Sequence, residues 1–453
     1  MSRVEPWQEE ITTRGALYLV GGSVRDALLV GEEKDRDFLV TGIAAGELAA
    51  ILRRHGRVEV VGRAFGVIRF RPEGADEIVD VALPRREVST GPGHREFAVD
   101  CDPSLPVEAD LGRRDFTMNA IAKEIPSGRI VDPFDGQADI AAKRIRMVFA
   151  GAFREDPLRM LRAVQFAARF GLAIEDQTLR ALREDAPLAR TVSPERIQEE
   201  MTKLLTLADE PSVGLRIARD AGLLAVLFPE LAKIDGVAQP PEWHLHDVLE
   251  HSFRACDAAP RDNLTVRLAA LLHDTGKADR RMEIVDEKTG LPRVVFYGHE
   301  DVSRIDARAV LERLRYPRAL ADRVDALIAA HMFDYHAGWS DAAVRRLVAR
   351  VGRDAIGDLL ALRRADQIGS GVPRDLPATE ELRARIEAEF ARQSALSVRD
   401  LAVNGEDVMR VLGVAPGRAV GRALAILLDE VLEDPSRNDR ERLLARVAEI
   451  GAG

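Results

Sequence analysis

Leu17-Tyr18-Leu19-Val20-Gly21-Gly22-Ser23-Val24-Arg25-Asp26, followed by Lys34-Asp35-Arg36-Asp37-Phe38-Leu39-Val40, decides how the chain reads. Residues 17–20 form a short apolar run of strand character. Gly21-Gly22-Ser23 breaks it, and residues 24–29 take up a helical pattern. Residues 37–40 read as a second strand, with Asp35 and Asp37 at its start. Side chains two apart in a strand point to one face, so these two carboxylates share a side. Paired carboxylates supply the hard oxygen ligands that suit Mg2+. The glycine pair lets backbone N–H groups approach a triphosphate closely. Each piece alone also has an ordinary reading: Gly-Gly as a turn, Asp-x-Asp as a solvated strand end. Asp80, inside the strand-like run 78–82, adds a third carboxylate. Three carboxylates around two metals suit in-line phosphoryl or nucleotidyl transfer.

Working outward, residues 58–61 and 67–70 read as further strands, and the Pro- and Gly-rich segment 84–110 reads as a loop. From Asp156 onward the pattern is helical, with one candidate hairpin over 284–297 around Lys288-Thr289-Gly290. Breaks near Gly151, Gln239-Pro240-Pro241-Glu242 and Val372-Pro373 give four segments, 1–150, 151–238, 239–370 and 371–453. The expected fold class is therefore α+β, a small mixed-sheet head followed by an all-α body. At 453 residues, with 46% hydrophobic and 31% charged residues, the chain can bury a core, which excludes global disorder. No apolar run is long enough to span a bilayer, and residues 1–10 lack the apolar stretch of a secretory signal. Two cysteines, Cys101 and Cys256, point to a reducing compartment, so a cytoplasmic protein without membrane partners is expected. The formal charge, 65 − 75 = −10, excludes a uniformly basic nucleic-acid coat. Segment 140–204 carries 12 Lys and Arg against 9 Asp and Glu, the local balance of a groove facing phosphates.

A second motif, Arg113-Arg114-Asp115-Phe116-Thr117-Met118-Asn119-Ala120, follows the head carboxylates. Its plain reading is a surface Arg pair before a helix capped by Asp115. In sequence with the Gly-Gly turn and Asp35, Asp37 and Asp80, however, it resembles the signature of the nucleotidyltransferase superfamily of class II tRNA nucleotidyltransferases and bacterial poly(A) polymerases. Gly62-Arg63-Ala64-Phe65-Gly66 resembles that family's next turn. Arg85-Arg86-Glu87 begins what resembles its flexible loop, and Asp132-Pro133-Phe134-Asp135-Gly136 resembles its hinge. The resemblance implies that Asp35 and Asp37 bind Mg2+ and that Asp80 assists the catalytic step. It also implies that Gly22, Arg25, Arg114, Asp115 and Asn119 contact the nucleotide, with Asp115 accepting from a ribose hydroxyl and Arg114 meeting phosphate.

Glu155-Asp156-Pro157-Leu158-Arg159-Met160-Leu161-Arg162 opens a helix, with Asp156 expected as N-cap and Pro157 at the first helical position. Glu155, Arg159 and Arg162 lie on one face, which also suits plain ion pairing. Asp and Arg together can accept from and donate to the Watson–Crick edge of cytosine or adenine. The resemblance implies that Asp156 and Arg159 replace a nucleic-acid template, with Arg162 in support. Ser193-Pro194-Glu195-Arg196, with Glu200, resembles the family's last neck motif, whose implied role is structural.

Beyond residue 239, His251, His273-Asp274-Thr275-Gly276-Lys277, His299, His331 and Asp366 follow one another. Spaced His and Asp on neighbouring helices suit a divalent metal with mixed N and O ligands. The set resembles an HD phosphohydrolase domain. It implies His251, His273, Asp274 and Asp366 as ligands of a transition metal such as Ni2+, Mn2+ or Co2+. His299 and His331 then match the positions that line the phosphate side or hold a second metal. His55, His94, His244, His246 and His336 receive no role. Residues 401–418 resemble the C-terminal module of bacterial tRNA nucleotidyltransferases, so 371–453 is expected as a tRNA-binding tail.

Together these resemblances cover nearly the whole chain and imply the bacterial multifunctional type of the family. The implied activity is addition of C, C and A to the tRNA acceptor end from CTP and ATP, by a monomer or homodimer. The HD domain is implied to add phosphatase or 2′,3′-cyclic phosphodiesterase chemistry. CC-only or A-only addition, poly(A) synthesis and non-catalytic tRNA binding stay open. The acidic chain shows no basic extension of the kind expected of a poly(A) polymerase.

Overall fold

A computed structural model describes residues 4–31, 36–61, 67–89, 97–287, 290–372 and 376–452. The chain divides into two compact units, 1–204 with 213–227 and 205–212 with 228–453. No helix among the described residues is long and apolar enough to cross a membrane.

The first unit is built on β1 (Ala16–Val20), β2 (Asp37–Thr41), β3 (Gly56–Val61), β4 (Val67–Pro72), β5 (Val79–Ala82), β6 (Arg85–Ser89), β7 (Phe97–Cys101), β8 (Ala122–Ile125) and β9 (Ile130–Val131). Seven of these form one mixed sheet in the order β3-β4-β5-β2-β1-β8-β9. β1 pairs antiparallel with both β2 and β8, whereas β2 and β5 run parallel. Successive residues of β1 and β2 feed opposite cores, as the two-residue strand period requires. Leu17, Leu19, Phe38 and Val40 join Trp7, Ile51 and Phe70 on one face. Tyr18, Val20 and Leu39 join Val107, Leu111 and Ala120 on the other. Trp7 packs edge-on against Phe38 and Phe70, with centroids 5.1 and 5.4 Å away. Asp37 opens β2 exposed, just ahead of the buried run Phe38-Leu39-Val40.

Segment 84–110 is not a loop throughout. β6 pairs antiparallel with β7 from Arg85↔Cys101 to Ser89↔Phe97, and a helix follows at Val107–Leu111. Val88, Phe97 and Val99 are strong strand formers. The breakers Pro84, Gly91, Pro92 and Gly93 fall before and between the strands in sequence, so composition over the whole window hid two short elements.

After the sheet come the neck helices Ala152–Glu155, Leu158–Phe170, Asp176–Asp185 and Pro194–Leu207. The long neck helix starts one residue later than expected. Pro157 takes the cap position, and Asp156 closes the preceding helix while its carboxylate accepts from the Leu158 N–H at 3.2 Å.

In the second unit the helices Val248–Ala258, Leu264–Leu272, His299–Arg313, Arg318–Ala330 and Ile356–Gly369 surround one buried polar cluster. The hairpin expected over 284–297 is present as Met282–Val285 paired with Pro292–Val295. Arg267, almost fully buried, donates to the carbonyls of Leu205, Ala208 and Ala259 at 2.5, 2.8 and 3.2 Å. The closing helices Gly405–Leu412, Arg418–Glu433 and Arg440–Ala452 have a core of their own, including Val408, Leu427, Val431 and Val447.

Candidate active sites

Strand register builds the head site. In the parallel pair β2–β5, Asp37 stands directly opposite Asp80, and both side chains are exposed. Asp80 also lies 4.0 Å from Arg69 on β4. Asp35, the turn 62–66 and the side chains of Arg86 and Glu87 fall outside the described residues.

Beside Asp37, Gly21 adopts φ +73°. A Cβ there would come within 2.8 Å of Arg114 Nη1 and 3.9 Å of Asp37 Oδ2. Gly21 therefore lets the Arg114 guanidinium lie against the turn, next to the carboxylate. Gly22, the glycine singled out from sequence, has ordinary contacts: its added Cβ would sit 3.5 Å from Arg25 Nη2. Arg114 is held by the Asn119 carbonyl at 3.3 Å and by the buried Asp110 at 3.1 Å.

Asp115 is buried and accepts from the Phe116 N–H and Asn119 Nδ2, both at 2.8 Å, and from Arg162 Nε at 2.7 Å. Burial alone would raise its pKa. The Arg162 charge and these hydrogen bonds outweigh burial and hold the carboxyl below its ordinary value. Asp115 is thus ionised, with one of about four lone-pair directions left over. Arg25 is buried, donates to Asn119 Oδ1 at 2.9 Å, and lies 4.9 Å from the ring centres of both Phe166 and Phe170.

The two expected base readers differ in setting. Asp156 is a quarter exposed and forms a two-point ion pair with Arg196, at 2.8 and 3.2 Å. Arg159 is buried; it donates to the carbonyls of Ala152 and Arg113 at 3.2 and 2.8 Å and reaches Glu155 at 3.4 Å. Arg162 joins the same group through Asp115, with Glu200 3.9 Å away.

The second site lies wholly in the second unit. His251 Nε2 is 3.2 Å from His273 Nε2, 3.3 Å from Asp274 Oδ2 and 3.2 Å from Asp366 Oδ1. His273 Nε2 is 3.3 Å from Asp274 and 3.7 Å from Asp366. His299 Nε2 is 3.2 Å from Asp274 Oδ1, on the other oxygen. Two triads, His251-His273-Asp274 and Asp274-His299-His331, each present ligand atoms within 4.8 Å of one another. Ligands around one ion, at about 2.0–2.2 Å each, lie up to about 4.4 Å apart, and the 3.2–3.7 Å separations among His251, His273, Asp274 and Asp366 fall inside that limit, with Asp274 shared by the second triad. The donor set fits as well. His273, His299 and His331 each direct Nδ1 at a backbone carbonyl, of Ala270, Phe296 and Ile328, at 2.9, 2.9 and 2.7 Å. That leaves Nε2 as the ligand atom, and the buried Nε2 of His331 has no hydrogen-bond partner.

Charge shapes this cluster. Burial and the neighbouring His273 push His331 down to about 3, so it is a neutral imidazole. Burial would also lower His273, but Asp274 and Asp366 outweigh it and hold the imidazolium up to about 10. Both carboxyls stay well below their ordinary range: against burial, His273 and Lys277 act on Asp274, and hydrogen bonds from His251 and His273 act on Asp366. The Lys277 ammonium lies 2.7 Å from Asp274.

The cluster floors a cavity of about 530 Å³ whose mouth carries the exposed Trp243, Tyr297 and Met332. Sequence reading misses His244, whose ring stands 4.7 Å from that of His251. Burial pushes it down to about 3, and its buried Nδ1 has no partner. It lies outside any helix, so no helical spacing points to it.

Comparison with known proteins bears on both sites. Residues 17–146 match the family model described as the poly A polymerase head domain. Residues 171–234 match a probable RNA and SrmB-binding site of polymerase A, and residues 294–447 match a putative tRNA nucleotidyltransferase domain 2. The chain is 36% identical over 424 residues to the multifunctional CCA protein of Thioalkalivibrio sulfidiphilus, covering 90% of this chain and 95% of that one. It is 39% identical over 320 residues to the multifunctional CCA protein of Laribacter hongkongensis, covering 69% and 74%. The crystal structure of the Bacillus stearothermophilus CCA-adding enzyme in complex with CTP is similar with a TM-score of 0.71 and 27% identity, over 98% of each chain.

Proposed function

The chain belongs to the family of multifunctional CCA proteins, and from that premise we propose that it adds C, C and A to the 3′ end of tRNA from CTP and ATP. The terminal 3′ hydroxyl oxygen bonds to the α-phosphorus of the incoming nucleotide. The α–β phosphoanhydride bond breaks and pyrophosphate leaves. The observation that carries this reading is the register setting Asp37 opposite Asp80, with Arg114 packed against Gly21 beside them.

Asp35 and Asp37 are the residues to hold Mg2+, which when bound neutralises triphosphate charge and makes the hydroxyl a better nucleophile. Arg114 pairs with a phosphate oxygen. Asp115 gives its remaining lone pair to a ribose hydroxyl, and Asp80 receives the proton of the attacking hydroxyl. Asp156 accepts from the base and Arg159 donates to it, while Arg162 keeps Asp115 in place. The acceptor stem is met through shape and phosphate contacts, which makes binding salt-sensitive. The test is to incubate tRNA lacking its 3′ end with each triphosphate, singly and in pairs, and to size the products. CTP alone should extend by two residues, and CTP with ATP by three. A stop after C-C with both present makes the enzyme CC-adding, and an A-run from ATP alone makes it a poly(A) polymerase.

A second activity is supported by a separate observation, the two His/Asp triads sharing Asp274. We propose that this unit hydrolyses phosphomonoesters or 2′,3′-cyclic phosphates. His251, His273, Asp274 and Asp366 hold a divalent metal, which supplies an activated water. His299 and His331 face the phosphate. Release of phosphate, and opening of a cyclic phosphate, across Mg2+, Mn2+, Ni2+ and Co2+ test it. No turnover with any of them removes the proposal.

A further inference from the structure

We propose that Arg196 sets which nucleobases the neck accepts, by leaving Asp156 a single hydrogen-bond acceptor with a fixed direction. This rests on the reading that Asp156 faces the base edge.

An ionised carboxylate offers about four lone-pair directions. At Asp156 three are taken. Arg196 spans both oxygens, Nη1 to Oδ1 at 3.2 Å and Nη2 to Oδ2 at 2.8 Å. The Leu158 backbone N–H takes a further direction of Oδ1 at 3.2 Å. One lone pair remains, on Oδ2. The planar guanidinium fork also fixes the plane of the carboxylate, which a point charge does not do. The Asp156 side chain is still 25% exposed, so a base can reach that oxygen.

Cytosine and adenine each present an amino group on the Watson–Crick edge, next to a ring nitrogen that accepts. Uracil and guanine present a carbonyl oxygen in that place, next to a ring N–H. One fixed acceptor on Oδ2 takes the amino hydrogen of C or A and meets a lone pair of U or G. Arg159 has five N–H donors, and Ala152, Glu155 and Arg113 occupy three of them. Two remain for the ring nitrogen. Without Arg196, Asp156 regains two lone pairs and the freedom to rotate. It can then turn to accept the ring N–H of U or G. Arg196 therefore acts through Asp156 and is a positioning residue, beyond the structural support that its motif implies.

The test is kcat/KM for single-nucleotide addition to tRNA acceptors poised for C or for A, with CTP, UTP, ATP and GTP. The parent is compared with R196A, R196K, D156A and the double variant D156A/R196A, and melting temperatures are measured alongside. R196A should raise the UTP-to-CTP and GTP-to-ATP ratios by roughly tenfold, the scale of one directed base contact. R196K should restore the melting temperature but not the ratios, because it returns the charge without the fork. The double variant should match D156A. Equal loss with all four nucleotides, or recovery of the ratios by R196K, overturns the proposal and leaves Arg196 a prop. Unchanged ratios in D156A overturn the base-reading assignment itself, and this inference falls with it.

Discussion

Asp37 opens β2 as an exposed carboxylate just ahead of the buried Phe38, Leu39 and Val40, and that position is what makes it available for chemistry. At a strand end a side chain stays hydrated while the buried neighbours fix the backbone. Replacing Asp37 by Ala should therefore leave the fold and tRNA binding intact and lower nucleotide addition by at least about a thousandfold. Filter binding and product sizing on the same preparation check this, and substantial residual addition would remove Asp37 from the metal site. The neighbouring glycines separate backbone need from substrate need. Gly21 has φ +73° and lies under Arg114, whereas a Cβ on Gly22 meets only an ordinary contact. A left-handed conformation costs a non-glycine residue roughly 1–2 kcal/mol, and Arg114 must also move. Gly21→Ala should raise the KM for triphosphate about tenfold or more. Gly22→Ala should stay within about twofold, and steady-state kinetics of both variants decides between them.

Between elements, the sequence made some joins visible and hid others. β1, β2 and β5 are legible because apolar β-formers cluster between breakers. The pairing of Asp37 with Asp80 is not legible, because a parallel neighbour is chosen by the whole sheet and not by either strand. The β6–β7 hairpin was hidden by the Pro and Gly around it. Arg25, expected from the sequence resemblance to contact the nucleotide, is buried in the structure. It lies 4.9 Å from the ring centres of the stacked pair Phe166 and Phe170 of the helix Leu158–Phe170, while its own helix, Gly22–Val30, follows the Gly21 turn. Burial lowers its pKa, so its rings and its partners Asn119 and Asp26 must offset the lost hydration. Desolvated cation–π contact and a charged hydrogen bond together contribute about 3 kcal/mol. Arg25→Ala should destabilise the first unit by about that amount, seen as an earlier urea transition. Arg25→Lys should recover little, since Lys lacks the planar guanidinium that meets both rings and the fork that reaches Asn119 and Asp26.

Over the whole molecule, the described residues of the two candidate sites fall within separate units. Every described member of the head site lies between Gly21 and Glu200, and every member of the His/Asp cluster between Trp243 and Asp366. The cluster's residue types were readable from sequence because metal sites need near-complete ligand sets in recognisable order. Their grouping into two triads around Asp274 was not readable, since it depends on five helices packing together. His273 and Asp274 hydrogen-bond and ion-pair only within the second unit among the described residues. The double variant should therefore fold and keep nucleotide addition within a few-fold of the parent. It should also lose metal-dependent hydrolysis of phosphomonoesters and 2′,3′-cyclic phosphates, because the oxygens of Asp274 serve both triads. The measurements are both activities on one preparation, with metal content by elemental analysis before and after chelation. Loss of hydrolysis together with metal, at preserved addition, is the expected result. If nucleotide addition falls as far as hydrolysis, the two chemistries are coupled and the separation drawn from the ligand sets is wrong.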